Sequence, residues 1–289
     1  MRAMPGLETA LLRAVVLLPL LLWGCGGAPT KPKYLEQIAV SAYLYVGEAV
    51  SASNAIVLTR TRPVDESYDA SEAAIRDAVV TLRADDTVLE ETLWMVAPGR
   101  YANPAVVIRP RTTYHLKAQV GGATVTASTT TPIAFDVLRA PLVLPDVMRH
   151  AAIADSFPLI VSCPDPEQIF LVDLFCREAY QDARYVLRIG TAEHPKDSEE
   201  YGGDDREPRH IAAFFRLKDL GIGEPGYRIS FYGDMMAFYG EYLIGIFSID
   251  QNYYSYLYRE HPELSGGIRG GIGVFGSACR RQYHVKTIE

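Results

Sequence analysis

TYHLKAQVGGATVTASTT, residues 113–130, decides the fold. Two runs of alternating apolar and polar residues flank Gly121-Gly122, and alternation at period two is the pattern of a half-buried strand. A glycine pair between two such runs marks a tight hairpin, because only glycine enters the positive-φ turn freely. Working outward toward the N-terminus, residues 38–46 (IAVSAYLYV) place Ile38, Val40, Ala42, Leu44 and Val46 on one face and Ser41, Tyr43 and Tyr45 on the other. Residues 55–60 (AIVLTR) and 78–83 (AVVTLR) read as further strands, with 62–71 as loop. Asp85-Asp86 turns the chain into a strand over 87–95, and Pro98-Gly99 makes another turn. About seven short strands in about 95 residues fit a β-sandwich. The sequence therefore predicts a sandwich over residues 34–132, closed by Thr131-Pro132.

Working outward toward the C-terminus, residues 133–150 hold Pro141 and Pro145 and read as a linker or crossing strand, with Arg149 and His150 solvated. Residues 151–289 read as a second β domain, an antiparallel sandwich or barrel-like unit. Its strands fall at 157–162, 169–180, 185–189, 211–217, 226–233 and 242–249, and Cys163-Pro-Asp-Pro forms a turn. One short helix is expected over 250–260 (DQNYYSYLYRE), capped by Asp250 and stopped by Pro262. Tyr253, Tyr254, Leu257 and Tyr258 share one side at helical spacing. Tyr254, Tyr256 and Tyr258 also alternate, which keeps a strand reading open. The fold class expected is all-β.

Residues 15–25 (VVLLPLLLWGC) set the location. Arg2 and Arg13 precede a short apolar run, and a small residue and a cysteine end it, the layout of a cleaved signal peptide over 1–24. The run is shorter than the roughly 20 apolar residues that a membrane span needs. Leu22-Trp23-Gly24-Cys25 resembles a bacterial lipobox, in which the cysteine is lipidated and becomes the mature N-terminus. Residues 25–33 then read as a lipidated tether carrying Pro29 and Pro32. The composition is that of a globular protein, 48% hydrophobic and 22% charged. A net charge of −7 argues against nucleic acid as a partner.

Three cysteines remain, Cys163, Cys176 and Cys279, and an exported chain can join two of them. Cys176 with either Cys279 or Cys163 is the preferred pairing, but the spacing decides neither. The acidic loop at 193–207 carries enough carboxylates to hold calcium, yet lacks the ordered spacing of a calcium loop and reads as solvated. No Gly-x-Ser-x-Gly elbow or clustered histidine set occurs, so no catalytic residue, metal ligand or cofactor is expected. Gly271-x-Gly273-x-x-Gly276 has a dinucleotide-loop spacing but leads into no expected helix, so it reads as structural.

A strand ending Phe247-Ser248-Ile249, then Asp250 to Leu257 (DQNYYSYL), a loop and Gly270 to Ser277 (GGIGVFGS) resemble the C-terminal pattern of the domain of unknown function 4249 family of exported bacterial lipoproteins. The order of strands and turns in the first module likewise resembles immunoglobulin-like or transthyretin-like modules. Ile268-Arg269 stands where the family usually has Asn-Ile. The resemblance implies an outer-membrane lipoprotein placed near a TonB-dependent transporter, facing the periplasm or the exterior, and brings no catalytic residue. The expected function is a non-enzymatic accessory that binds a ligand or partner. Tyr253, Tyr254, Tyr256 and Tyr258 are the candidate contacts for glycan or peptide, against the alternative that they pack the helix onto the sheet. An envelope glycan hydrolase with a carboxylate pair from distant positions, and an adhesin-like scaffold, are the other readings.

Overall fold

The computed structural model describes residues 34–145, 159–179, 182–185, 210–220, 222–223, 226–229 and 238–288. The strands in chain order are β1 (Ile38–Tyr45), β2 (Ala49–Val50), β3 (Ile56–Arg60), β4 (Val79–Ala84), β5 (Glu91–Ala97), β6 (Arg100–Val107), β7 (Thr113–Val120), β8 (Ala123–Thr130), β9 (Asp136–Arg139) and β10 (Val143–Pro145). After them come β11 (Leu159–Ser162), β12 (Ile169–Cys176), β13 (Arg184–Tyr185), β14 (His210–Arg216), β15 (Ile222–Gly223), β16 (Gly226–Ile229), β17 (Phe238–Ile249), β18 (Ile268–Arg269) and β19 (Ile272–Ile288). Short α-helices occupy Ala70–Ala73 (α1), Gln251–Tyr258 (α2) and Pro262–Ser265 (α3). The protein is all-β, as its alternating runs require.

Alternation becomes burial strand by strand. In β7, Tyr114, Leu116, Ala118 and Val120 are buried, and in β8 Val125, Ala127 and Thr129 are. The two pair along their whole length across the glycine turn, where Gly121 takes φ +58°. β12 is buried on both faces from Ile169 to Val172, which makes it a central strand.

One large sheet follows the order β14-β12-β17-β19-β1-β3-β6-β5-β4-β7-β8-β18, and a second runs β15-β16-β11-β9. β19 is the hinge of this order. Its first part pairs in parallel with β1, from Ala39 opposite Ile272 to Tyr45 opposite Ala278. Its second part pairs antiparallel with β17, from Ile249 opposite Ala278 to Gly240 opposite Thr287. Ala278 therefore has a partner on each side. The large sheet curls until β8 approaches β19 again, and the hydroxyls of Thr129 and Ser277 lie 2.9 Å apart.

Two main cores form. The first holds Val40, Leu58, Val80, Leu116 and Val125 together with Phe275 from β19. The second holds Phe170, Leu174, Ile244 and Val285 from the large sheet, closed over by Leu159, Val161 and Ile229 from the small one. The first core draws mainly on strands before residue 132 and the second mainly on strands after it, while Gln37–Glu289 forms a single compact unit. Its continuity comes from β19, whose Phe275 serves the first core and whose Cys279 serves the second. The stretch expected as linker carries β9 and β10, which join the small sheet and β19 respectively.

Several local expectations shift. The strand expected at 87–95 begins at Glu91, because Thr87 turns back on the Ala84 carbonyl. The chain from Arg100 to Val107 is a full strand despite Pro104. The helix after Asp250 ends at Tyr258, and Pro262 opens a second helical turn instead of stopping the first. Proline suits that first-turn position, where its missing N–H costs nothing.

Candidate functional site

The stretch that carries the family resemblance folds into a polar junction. Asp250 caps α2: Oδ1 accepts from the Tyr253 N–H at 3.1 Å and Oδ2 from the Asn252 N–H at 3.2 Å. Oδ1 also accepts from the Ser277 N–H of β19 at 2.9 Å, and Oδ2 from the Thr129 hydroxyl of β8 at 2.7 Å. Asn252 extends the junction by donating to the carbonyls of Ser128 at 2.7 Å and Phe275 at 3.0 Å. Burial pushes the Asp250 carboxyl above the usual carboxylate range, and its hydrogen bonds pull it down only in part. All four donors are committed to structure, so this carboxylate is a joint and not a reagent.

The glycines of the same stretch serve close approach. Gly276 lies under α2, where an added Cβ would sit 3.0 Å from the Tyr253 Cβ and 3.2 Å from its backbone nitrogen. Gly273 has φ +108° and would drive a Cβ into the Val40 carbonyl of β1. Their GxGxxG spacing thus reflects sheet packing, in agreement with the structural reading.

The candidate tyrosines pack the helix down. The Tyr253 ring lies 4.5 Å from that of Tyr43 on β1. Tyr254 and Tyr258 meet Phe214 of β14 at 5.1 and 3.6 Å between centroids. Tyr256 is half-buried, whereas Tyr258 is 40% exposed. Tyr253 and Tyr254 pack against a third apolar cluster, built on Ile169, Leu171, Phe247, Ile249 and Ala278, on the face of the sheet away from the second core.

Cys163, Cys176 and Cys279 are buried and joined in no disulfide, so the expected bridge between Cys176 and one of the others is not formed. All three belong to the second core and act there as small apolar side chains. Cys25, the tether and the acidic loop at 193–207 lie outside the described residues. Among the described residues, no three His, Cys, Asp or Glu side chains stand together to hold a metal ion.

Two open clefts among the described residues carry polar side chains. One, of about 360 Å³, lies where Thr131 and Ile133 meet Asp165, Gln168 and Ile249, with the Asp250 junction in its wall. The other, of about 410 Å³, lies on the outer face of β4, β7, β8 and β18. Register builds its floor in two rows. Thr81, Lys117, Thr126 and Arg269 stand side by side across four strands, and Arg83, His115 and Ser128 across three. Glu90 is the one carboxylate in the lining. Asp85, just beyond it, is paired with His115 and held by that imidazole below the ordinary carboxylate range. Ser128 faces the same histidine, but no hydrogen bond joins its hydroxyl to the ring, so the three form no nucleophile–base relay. No residue of this groove stood out in the sequence, because its rows come from strands far apart in the chain. The alternation of His115 with Lys117 opposite Ser128 and Thr126 was the only available signal.

Compared with known proteins, the chain matches no family model and no curated protein sequence.

Proposed function

We propose that the protein is an envelope lipoprotein, lipidated at Cys25 and held at the outer membrane, whose β body binds a ligand or partner for a TonB-dependent transporter without catalysing a reaction. One conjunction carries this reading. A leader ending Leu-Trp-Gly-Cys stands ahead of a single β body with an open, cation-lined groove. The leader and the Asp250–Ser277 stretch together resemble the domain of unknown function 4249 lipoproteins, which supports both the anchor and the transporter. Groove volumes of roughly 300–1,000 Å³ suit small-ligand binding. The body binds through residues placed by strand register, so the binding surface keeps its shape when empty.

The experiment expresses the full chain in a diderm host with an outer membrane and follows its maturation by mass spectrometry. The reading expects a diacylglyceryl group on Cys25, residues 1–24 removed, and co-purification with a transporter after mild detergent extraction. An unmodified N-terminus, or a lipidated chain that recovers no transporter, overturns the anchor or the partner half respectively.

A further inference from the structure

We infer that the groove on β4, β7, β8 and β18 is a binding site for an acidic glycan, a sugar chain bearing carboxylate or phosphate groups. The inference rests on the binding reading above but not on the anchor. Three observations carry it.

First, the lining concentrates positive charge in a chain whose net charge is −7. Arg83, Lys117 and Arg269 stand against Glu90 in the lining, with Asp85 beyond it paired to His115 and near Arg83. Lys117 and Arg269 take part in no ion pair or side-chain hydrogen bond among the described residues. Each lies two strands from the other with Thr126 between them, a separation of about 10 Å at ordinary strand spacing. That span matches anionic groups set apart along a chain of rings better than one compact ion. A long, densely charged polymer such as nucleic acid would meet the repulsion of the whole molecule, while a sparsely charged one meets the local cations.

Second, Thr81 and Thr126 alternate with the cations in the same row. Hydroxyls that can donate and accept are the partners a sugar hydroxyl needs.

Third, an aromatic ledge adjoins the groove. Thr92 of β5 stands opposite Thr81, and Trp94 follows it two residues along on the same outer face, 57% exposed. Val79, on that face of β4, is also 57% exposed. An indole left open beside polar rows is a stacking surface for the apolar face of a sugar ring. Lysozyme-like chemistry is not implied, since the groove lacks a facing pair of free carboxylates.

The test is calorimetric titration of the full-length chain, in detergent and low salt, with oligogalacturonate as probe. Neutral galactan of matched length and inorganic phosphate are the comparison arms. The inference expects saturable binding of the acidic oligosaccharide that weakens at least tenfold in the Lys117→Gln/Arg269→Gln double variant and threefold to tenfold in Trp94→Ala. Unchanged circular dichroism and melting temperature show that the variants fold; a variant that does not is replaced by raising the salt to 0.3 M, which must weaken binding comparably. Three results overturn it: no binding at millimolar probe, equal binding of neutral galactan, or phosphate binding as tightly as the oligosaccharide. A chain that is lipidated and captures its transporter yet ignores the probe loses this inference and keeps the function proposed above.

Discussion

Thr129 of β8 donates its hydroxyl hydrogen bond to Asp250 at the start of α2, at 2.7 Å and across 121 residues of chain. The same carboxylate holds the backbone of Ser277 in β19. Three elements that surround two different cores thus meet on one side chain. The stretch that resembles a family pattern is therefore conspicuous for architecture, and the groove proposed to bind lies elsewhere.

Asp250→Ala removes the helix cap and leaves the Ser277 N–H without an acceptor, while the Thr129 hydroxyl can turn to the Ser277 hydroxyl 2.9 Å away. A lost cap costs about 1 kcal/mol and the stranded buried donor about 1–3 kcal/mol, so the variant should lose about 2–4 kcal/mol in urea unfolding. Asp250→Asn keeps one acceptor oxygen and good capping geometry, and should lose less than half as much.

The pH dependence of that difference has a definite sign. The folded Asp250 carboxyl titrates above its unfolded value of 3.8 because burial disfavours its charge. Its protonation thus favours the folded state below pH 3.8, and this contribution fades as pH rises through the raised folded value. Wild type should therefore gain on Asp250→Asn as pH falls through that window. Denaturant melts of the pair at intervals from pH 7 to pH 3 measure it, and a difference constant with pH contradicts the assignment.

Gly273→Ala and Gly276→Ala should both destabilise, and in that order. At Gly276 the new methyl group must displace the Tyr253 backbone by a few tenths of an ångström, an overpacking cost of about 1–3 kcal/mol. At Gly273 it meets the Val40 carbonyl and also forces φ +108° on an alanine, so the loss is larger. Melting temperatures of the two variants decide the order.

Much of this was readable from local pattern. The 113–130 hairpin, the strand at Ile38–Tyr45 and the Asp250 cap depend on residues within a few positions of one another, where period and capping chemistry act directly. The parallel pairing of β1 with β19 was not readable. Nothing near Val40 announces Gly273 as its neighbour, and a glycine-rich run permits several registers. The composition shift at residues 133–150, read as a linker or crossing strand, likewise says nothing of β19, the strand that serves both cores. The tyrosines of α2 left a ligand surface and helix packing both open, because helical spacing shows a shared face without showing what covers it. The groove was invisible because Arg83, Lys117 and Arg269 become neighbours only through register.

The thiols make a simpler check. Burial pushes the Cys163 thiol above its usual 9.0, which lowers its reactivity further. Native protein should leave Cys163, Cys176 and Cys279 unmodified by iodoacetamide over an hour at pH 8, while in 8 M urea, without prior reduction, these positions should add three carbamidomethyl groups, Cys25 being counted apart. Fewer than three additions in urea would show that a bridge forms after all.

Hydrogen exchange read by mass spectrometry, on wild type and on Asp250→Ala, tests most directly whether β19 and the Asp250 junction make two cores one body. The account predicts that the slowest amides of β4 and β7 and those of β12 and β17 open with the same free energy, and that the substitution lowers both sets together. Separate opening free energies in wild type, with the substitution lowering only one set, would contradict it.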